Sequence, residues 1–176
     1  MGDSTAFLLP RADSPTLALT QPTTAEKRHI DILSAQAFKG PLSVPAYIRR
    51  EEFLAQQALT RDGGIMVWIL IDTAEPTPAD GEPRRILSSC ETIRRRAYLK
   101  PKGGALKEIT TYAVCTVFCD PEHRCRGFTR RLLKELSTTF DTWQQREAQT
   151  ATFTVLYSDV GKVIAPISRK SVQGSA

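Results

Sequence analysis

The chain has 176 residues, of which 41% are hydrophobic and 24% are charged, and these values are ordinary for one globular domain. Its longest apolar run, over residues 65–71, is too short to span a bilayer, and the N-terminus lacks the basic and apolar regions of a secretory signal. We therefore expect a cytoplasmic protein with no membrane partner.

The net charge of +5 is concentrated in the middle of the chain. Residues 84–131 contain 12 Lys and Arg against 4 Asp and Glu, so this stretch carries +8 while the rest carries −3. A basic centre favours an anionic ligand, either a nucleic acid or a multiply phosphorylated cofactor. Because we find no aromatic interleaving of the kind that stacks on bases, the cofactor is the better interpretation and a nucleic-acid-binding module is the less favoured alternative.

The first half of the chain predicts two helices and a strand. Residues 1–25 are rich in Thr, Ser, Pro and Ala without periodicity, which is typical of a flexible arm. Helices are predicted over residues 29–38 and 46–59, and a strand over residues 65–71.

The second half predicts three further strands and a longer helix. The strands are expected over residues 86–93, 109–119 and 152–157, with a basic irregular stretch over residues 94–104. Apolar residues at steps of three and four predict the helix over residues 128–143. This order of elements predicts an α+β fold in which helices flank a mixed sheet.

The four cysteines, Cys90, Cys115, Cys119 and Cys125, lack the paired spacing of a zinc site. Cys115 and Cys119 are predicted to lie on the same face of one strand. We interpret the four as small buried thiols in a reducing compartment, and we expect no metal ion.

The most informative segment, over residues 117–133, joins a buried strand to a helix through a basic loop. A turn at Asp120 precedes Arg124, Arg126 and Gly127. The first N–H groups of a helix have no internal partner and lie at the positive end of its dipole, so this arrangement can hold a phosphate. Gly127 lets the backbone approach an anion without a Cβ. An ordinary strand-to-helix connection with solvated arginines is the alternative.

The string Arg124-x-x-Gly127-x-Thr129 resembles the Arg/Gln-x-x-Gly-x-Gly/Ala loop of the GCN5-related N-acetyltransferases, which holds the pyrophosphate of acetyl-coenzyme A. Thr129 departs from the small last residue of that loop. The resemblance implies that acetyl-coenzyme A is the co-substrate. It also implies that the preceding strand is bulged and that its backbone N–H groups near Val117 and Phe118 stabilise an oxyanion. The implied cofactor-binding residues are Val117, Phe118, Cys119, Arg124, Cys125, Arg126, Gly127, Phe128 and Thr129.

Three further strings resemble one branch of this superfamily, the fungal lysine N6-acetyltransferases. They are Tyr47-x-x-Arg50-Glu51, Ser88-Ser89-Cys90-Glu91-Thr92 and Val155-Leu156-Tyr157-Ser158-Asp159-Val160-Gly161. The resemblance implies a largely antiparallel sheet of the GNAT type, an acetyltransferase domain over residues 26–165 and a polar tail over residues 166–176. It also implies acetyl transfer from acetyl-coenzyme A to the side-chain amine of free lysine or a similar small amine, the first step of lysine catabolism.

The resemblance ends after Lys162. The family would next have a Phe-Tyr pair, and Ala165 stands at the position of that tyrosine, followed by Pro166. The sequence therefore keeps a second interpretation open, in which the chain is a truncated remnant that binds acetyl-coenzyme A without turnover.

Acetyl transfer to lysine requires a neutral amine. Because the amine pKa is about 10.4, deprotonation at pH 7 costs about 4.6 kcal/mol, and the site must supply a general base or a desolvating pocket. Glu91 is the first candidate for the base and Glu108 a weaker one; a solvated strand-edge charge is the alternative interpretation of Glu91. Tyr157 could replace the family tyrosine that protonates the thiolate, or could be a core residue. Residues 94–96, all arginine, are interpreted as a solvated turn.

Overall fold

The computed structural model describes residues 8–76, 78–79, 81–140, 143 and 153–156, which form one sheet with helices on both of its faces. The strands are β1 (Leu17–Thr20), β2 (Ile65–Asp72), β3 (Ser88–Leu99), β4 (Lys107–Phe118) and β5 (Phe153–Leu156). The helices are α1 (Thr24–Phe38), α2 (Val44–Ala55) and α3 (Phe128–Phe140), with a short 3₁₀ turn at Pro121–His123. None of the described helices is long and apolar enough to cross a membrane.

The strands lie in the order β1-β2-β3-β4-β5, so each strand is next to its neighbour in sequence. β1 to β4 are antiparallel to one another, whereas β5 is parallel to β4, with Thr111 opposite Phe153 and Val114 opposite Leu156. A parallel pair needs a crossover connection, and α3 lies in that connection. This topology confirms the predicted α+β fold with a mixed, largely antiparallel sheet flanked by helices.

α3 covers one face of the sheet with its apolar stripe. The stripe consists of Phe128, Leu132, Leu133, Leu136 and Phe140, all of them buried. These side chains pack against one face of the strands, through Leu17, Trp68, Leu70, Leu87, Cys90, Tyr112 and Val114. The rings of Tyr112 and Phe140 stack with their centroids 4.4 Å apart. The periodicity that predicted the helix therefore also identifies its buried face.

The opposite face of the sheet packs against α1. Ile69 and Ile71 alternate with Leu70 along β2 and point away from α3, as the two-residue period of a strand requires. They form a second apolar cluster with Ile86 and with Ile30 of α1. The sheet is thus covered on both sides, with α3 on one face and α1 on the other.

α1 is fixed at its N-terminus by Glu26. The Thr23 hydroxyl accepts the Glu26 N–H at 3.2 Å, and the Glu26 carboxylate accepts the Thr23 N–H at 2.7 Å, which is a capping box. Arg84, just before β3, donates to the same carboxylate through Nε at 2.6 Å and Nη2 at 3.0 Å. The Arg84 hydrogen bonds, opposed by burial and aided by the Thr23 N–H, lower the pKa of Glu26 to about 2. One carboxylate therefore joins α1 to the sheet.

The N-terminal region differs from the flexible arm predicted over residues 1–25. Among its described residues, β1 pairs with β2, with Leu17 opposite Asp72 and Thr20 opposite Ile69, and α1 already begins at Thr24. A four-residue strand is too short to show a clear period, so its pairing depends on the distant strand β2. The sheet consequently starts before residue 26.

The hairpin between β3 and β4 also differs from its prediction. Residues 94–96 lie in β3, opposite residues 110–112 of β4, and not in a solvated turn. Strand pairing continues as far as Leu99, which lies opposite Lys107. Arg95 and Arg96 are exposed, so the strand carries these charges without burying them.

Candidate active site

β4 contains a bulge at Thr116, close to its C-terminal end. Glu91 pairs with Cys115 whereas Ser89 pairs with Phe118, so β4 carries one more residue than β3 over this stretch. Thr116 has a φ of +49°, a left-handed conformation that is uncommon for a residue other than glycine. Bulges of this kind are over-represented next to active sites, where they redirect side chains.

The bulge changes which face of the sheet the following side chains occupy. In a regular strand Phe118 would share the face of Val114, which packs against α3. Instead, Val117 packs against that cluster, and Phe118 turns to Phe38 at the end of α1, with ring centroids 6.5 Å apart. The backbone that the sequence assigns to oxyanion binding, near Val117 and Phe118, therefore lies at this irregular point of β4.

Among the described residues, the outer edge of β4 has no strand partner at the bulge. β5 pairs with β4 from Thr111 to Val114, and no described residue pairs with that edge over residues 115–118. An unpaired strand edge presents N–H and C=O groups to any molecule that lies along it. An extended ligand can therefore bind to β4 as an added strand would.

The carboxyl group of Glu91 lies at the bulge. Thr116 donates a hydrogen bond of 2.6 Å from its hydroxyl to Glu91 Oε2, and only 8% of Glu91 is exposed. Burial raises the pKa of Glu91 above its ordinary value, opposed by the Thr116 hydrogen bond and the charge of Lys27 and aided by the charges of Glu51 and Asp31. A carboxylate with a raised pKa is a better base near neutral pH than an exposed one. The residue predicted as the base is thus a buried group at the bulge, and not a solvated edge charge.

α2 contributes a connected polar cluster made of the Tyr47-x-x-Arg50-Glu51 string. Tyr47 is buried, and its hydroxyl lies 3.4 Å from the Ser34 hydroxyl of α1. The Arg50 guanidinium lies 4.6 Å from the centre of the Tyr47 ring and donates to the Glu51 carboxylate at 2.6 Å. Burial raises the pKa of Tyr47, and the charge of Glu51 adds to the raised pKa of both Tyr47 and Glu91. Two of the three resembling strings therefore meet on one face of the sheet.

The loop between β4 and α3 is built from tight turns with free N–H groups. Asp120 accepts the Glu122 N–H at 2.9 Å and begins the 3₁₀ turn, and positive φ angles of +59° at Cys125 and +86° at Gly127 follow. No described residue accepts a hydrogen bond from the backbone N–H groups of residues 125–130. These donors lie at the positive end of the α3 dipole, so the loop can hold a phosphate.

Thr129 is turned away from these donors. Its hydroxyl lies 3.2 Å from the Ser88 hydroxyl, which donates to the Phe118 carbonyl at 2.9 Å. The side chain therefore links α3 to the start of β3 and to the end of β4. The larger residue at this position of the loop thus leaves the backbone N–H groups accessible, because its bulk lies on the protein side.

The arginines around the loop have different contacts. Arg124 Nε donates to the Cys119 carbonyl at 3.1 Å, which closes the loop on itself, whereas Arg126 is exposed. Arg131 points back to the N-terminal segment and donates to the carbonyls of Ala12, Ser14 and Leu17 at 3.1, 3.2 and 3.4 Å.

The N-terminal segment over residues 9–14 was missed as a part of the site. The segment and the loop together form an open cleft of about 460 Å³. It is lined by Leu9, Pro10, Arg11, Ala12, Asp13 and Arg126. A Cβ on Gly127 would lie 3.1 Å from the Ala12 Cβ, so the glycine lets the segment and the loop touch. Arg131 and Ala12 are 119 residues apart, and no local pattern could have revealed this contact.

Glu108, the weaker candidate for the base, is not brought into the site. Glu108 is exposed, pairs with Arg96 at 3.8 Å, and lies about 26 Å along β4 from Thr116 at the usual rise of a strand. Tyr157, the other candidate catalytic residue, lies outside the described residues, as does the departure at Ala165.

Cys90, Cys115 and Cys119 are not activated nucleophiles. Burial raises the pKa of Cys115 to about 11, with a further contribution from the charge of Glu91, and burial also raises the pKa values of Cys90 and Cys119. These thiols stay protonated near neutral pH. Cys125 is exposed in the loop, unlike the burial predicted for all four. Cys115 and Cys119 do not share a strand face, because the bulge intervenes and β4 ends at Phe118.

Sequence comparison finds two partial relatives, and no protein-family model matches the chain. The chain is 25% identical over 169 residues to an uncharacterized protein of Saccharomyces cerevisiae, YGR111W, which covers 83% of this chain and 42% of that protein. It is 28% identical over 88 residues to a lysine acetyltransferase of Yarrowia lipolytica, covering 43% of this chain and 22% of that protein. The chain thus spans less than half the length of either relative.

Comparison with solved structures identifies the fold. The crystal structure of Arabidopsis thaliana NAA60 in complex with acetyl-CoA is similar with a TM-score of 0.53 at 13% identity, over 80% of this chain and 76% of that chain. The chain therefore has the acetyltransferase fold, a sheet of mixed direction between helices. More narrowly, it has the fold of the GCN5-related N-acetyltransferases, as the resemblance of the loop over residues 124–129 led us to expect.

Proposed function

We propose that this chain is an N-acetyltransferase that transfers acetyl from acetyl-coenzyme A to a small primary amine, with the side-chain amine of free lysine as its acceptor. The observation that carries the proposal is the bulge at Thr116. It lies between the buried carboxyl group of Glu91, the open edge of β4 and the loop with free N–H groups over residues 125–130. A base, a thioester site and a phosphate site are the three parts that this reaction requires.

The chain has a candidate binding group for each successive part of acetyl-coenzyme A. The N–H groups of residues 125–130, together with exposed Arg126, would bind the pyrophosphate. The open edge of β4 over residues 115–118 would pair with the amide groups of the pantetheine arm. The thioester would then lie at the bulge, where N–H groups near Val117 and Phe118 would stabilise the oxyanion.

Glu91 would act as the general base. It takes a proton from the lysine ammonium, and the neutral nitrogen attacks the thioester carbonyl carbon to form a C–N bond. When the C–S bond breaks and the thiolate leaves, the nitrogen gives its second proton to water. Tyr157 is proposed as the group that protonates the thiolate, by its resemblance to the family tyrosine. The products are the N-acetylated amine and coenzyme A, with one proton released overall.

The surroundings of Glu91 favour a cationic acceptor. Asp31 and Glu51 add negative charge near Glu91, and Lys27, whose positive charge opposes theirs, is already paired with Asp31 at 2.7 Å. An ammonium group is attracted to such a region before it loses its proton. The Yarrowia lipolytica relative is named a lysine acetyltransferase, which supports lysine as the acceptor.

The test is product formation by the purified chain. Acetyl-coenzyme A and lysine are incubated with the protein, and mass spectrometry measures N6-acetyl-lysine; ornithine and a lysine-containing peptide serve as competing acceptors. We expect N6-acetyl-lysine in proportion to protein and time. Acetylation of ornithine or peptide alone would replace the acceptor, whereas binding of acetyl-coenzyme A with no product from any amine would favour the non-catalytic remnant.

A further inference from the structure

The cleft between the N-terminal segment and the loop before α3 combines charges from two distant parts of the chain. Arg11 comes from the segment and Arg126 from the loop, and Asp13 is the single carboxylate among the lining residues. The cleft therefore carries a net positive charge and is open to solvent. The cleft therefore suits an anionic group that fits into a volume of about 460 Å³.

The backbone that carries Arg11 is held in place from both sides. The Ser14 N–H donates to the Arg11 carbonyl at 3.0 Å, which forms a turn, and Arg131 donates to the Ser14 carbonyl at 3.2 Å. Thr73 donates to the Thr16 carbonyl through its N–H at 2.9 Å and its hydroxyl at 2.8 Å. A ligand that binds here does not have to order this backbone, which lowers the entropic cost of binding.

The Arg11 side chain forms only a weak ion pair, with Asp13. Its Nε and Nη2 donate to the Asp13 carboxylate at 3.1 and 3.3 Å, and the two side chains are 87% and 73% exposed. Exposed pairs of this kind contribute little free energy, so a doubly charged phosphate can compete for the guanidinium.

The position of the cleft indicates which phosphate group of the cofactor would bind there. Arg126 lines it and also belongs to the row of N–H groups over residues 125–130, where the proposed function places a pyrophosphate. In coenzyme A the ribose that carries the 3′-phosphate follows the pyrophosphate directly. We propose that the N-terminal segment completes the cofactor site, with Arg11 and Arg126 binding the 3′-phosphate of coenzyme A. This inference rests on the proposed function, and it adds a binding residue that lies outside the loop.

The test compares coenzyme A with dephospho-coenzyme A, which lacks only the 3′-phosphate. Calorimetric titration at low ionic strength measures both ligands against the parent, Arg11→Ala and Arg61→Ala. Arg61 is the matched control, because it is also exposed and also pairs with a neighbouring aspartate, Asp62, at 3.6 Å. We expect the parent and Arg61→Ala to bind coenzyme A at least about fivefold more tightly than dephospho-coenzyme A. Arg11→Ala should lose most of this preference, with unchanged affinity for dephospho-coenzyme A.

Failure of the inference and failure of the proposed function give different results. Equal binding of the two ligands by the parent, or a preference that Arg11→Ala retains in full, would overturn the role of Arg11 while leaving the cofactor site intact. If the folded parent bound neither ligand, the proposed function itself would fail. Because the Arg11 side chain is 87% exposed, loss of folding in the variant is not expected, and circular dichroism checks this.

Discussion

At the scale of single residues, Glu91 and Thr116 form one unit because a hydrogen bond joins their side chains. A non-glycine residue in a sparsely populated backbone conformation costs about 1–3 kcal/mol, and the hydrogen bond from Thr116 to Glu91 helps to offset this cost. The same bond orients the carboxyl group. A buried acid that is oriented by a neighbour and has a raised pKa has the properties of a general base.

Glu91→Gln should abolish most of the acetyl transfer while preserving the fold. The amide oxygen can still accept the Thr116 hydrogen bond, but it cannot take a proton, so we expect the rate constant kcat to fall about 100- to 1,000-fold. Glu108→Gln is the matched control and should retain the parent rate, because Glu108 is exposed and distant from the bulge. Equal rates for the parent and Glu91→Gln would show that another group is the base.

The pH dependence of the reaction follows from the raised pKa of Glu91. Because the base must be ionised, the rate should rise with pH through a pKa above the ordinary glutamate value. For stability the sign is opposite: an acid whose pKa is raised on folding stabilises the native state in its protonated form, and this contribution is lost as the pH rises through the raised pKa. Glu91→Gln should therefore be at least as stable as the parent at pH 7, measured by urea unfolding.

At the scale of elements, the loop and α3 could be predicted from local patterns and the bulged strand from the family resemblance, whereas the N-terminal segment could not be predicted. The loop is defined locally, by Asp120, by the glycine at position 127 and by the apolar period that follows. The exact position of the bulge depends on how β4 pairs with β3, and the register at Ser89 and Glu91 shows it. The N-terminal segment depends on contacts with Arg131, which is 119 residues away from Ala12 in the sequence.

The Glu26 carboxylate, which joins α1 to the sheet, allows us to predict how the stability of the protein depends on pH. The pKa of Glu26 is lowered from 4.5 to about 2, so its contribution is present above the unfolded value and is lost as the pH falls through the folded value. We expect Glu26→Gln to lose about 2–3 kcal/mol of unfolding free energy at pH 7. The difference from the parent should shrink between pH 5 and pH 2, as measured by urea unfolding at several pH values.

An exposed ion pair provides the control for this measurement. Glu52 lies 3.8 Å from Arg28 with both side chains more than half exposed, so Glu52→Gln should change the unfolding free energy by less than about 1 kcal/mol. A difference between the parent and Glu26→Gln that stays constant with pH would contradict the role of the carboxylate charge.

At the scale of the whole molecule, three separate regions of the chain meet at the end of the sheet where β1 and β3 start and β2 and β4 finish. Antiparallel pairing brings the start of β1, the end of β2, the start of β3 and the end of β4 to the same side. The N-terminal segment, the strand with Glu91 and the loop before α3 are therefore neighbours, although they are far apart in sequence. Sequence patterns predicted the order of most elements, but the convergence of these three regions follows from the register of the sheet.

The most direct test of the account is whether acetyl-coenzyme A binds at the loop before α3. Calorimetric titration compares the parent with Gly127→Ala and with Gly103→Ala. Both glycines have positive φ angles, of +86° and +74°, but a Cβ at position 127 would meet Ala12 whereas a Cβ at position 103 would meet nothing within 4 Å. We predict that the parent and Gly103→Ala bind acetyl-coenzyme A with similar affinity and that Gly127→Ala binds at least about tenfold more weakly, because the loop must shift. Equal affinity of all three proteins, or no binding by a folded parent, would contradict the proposed site.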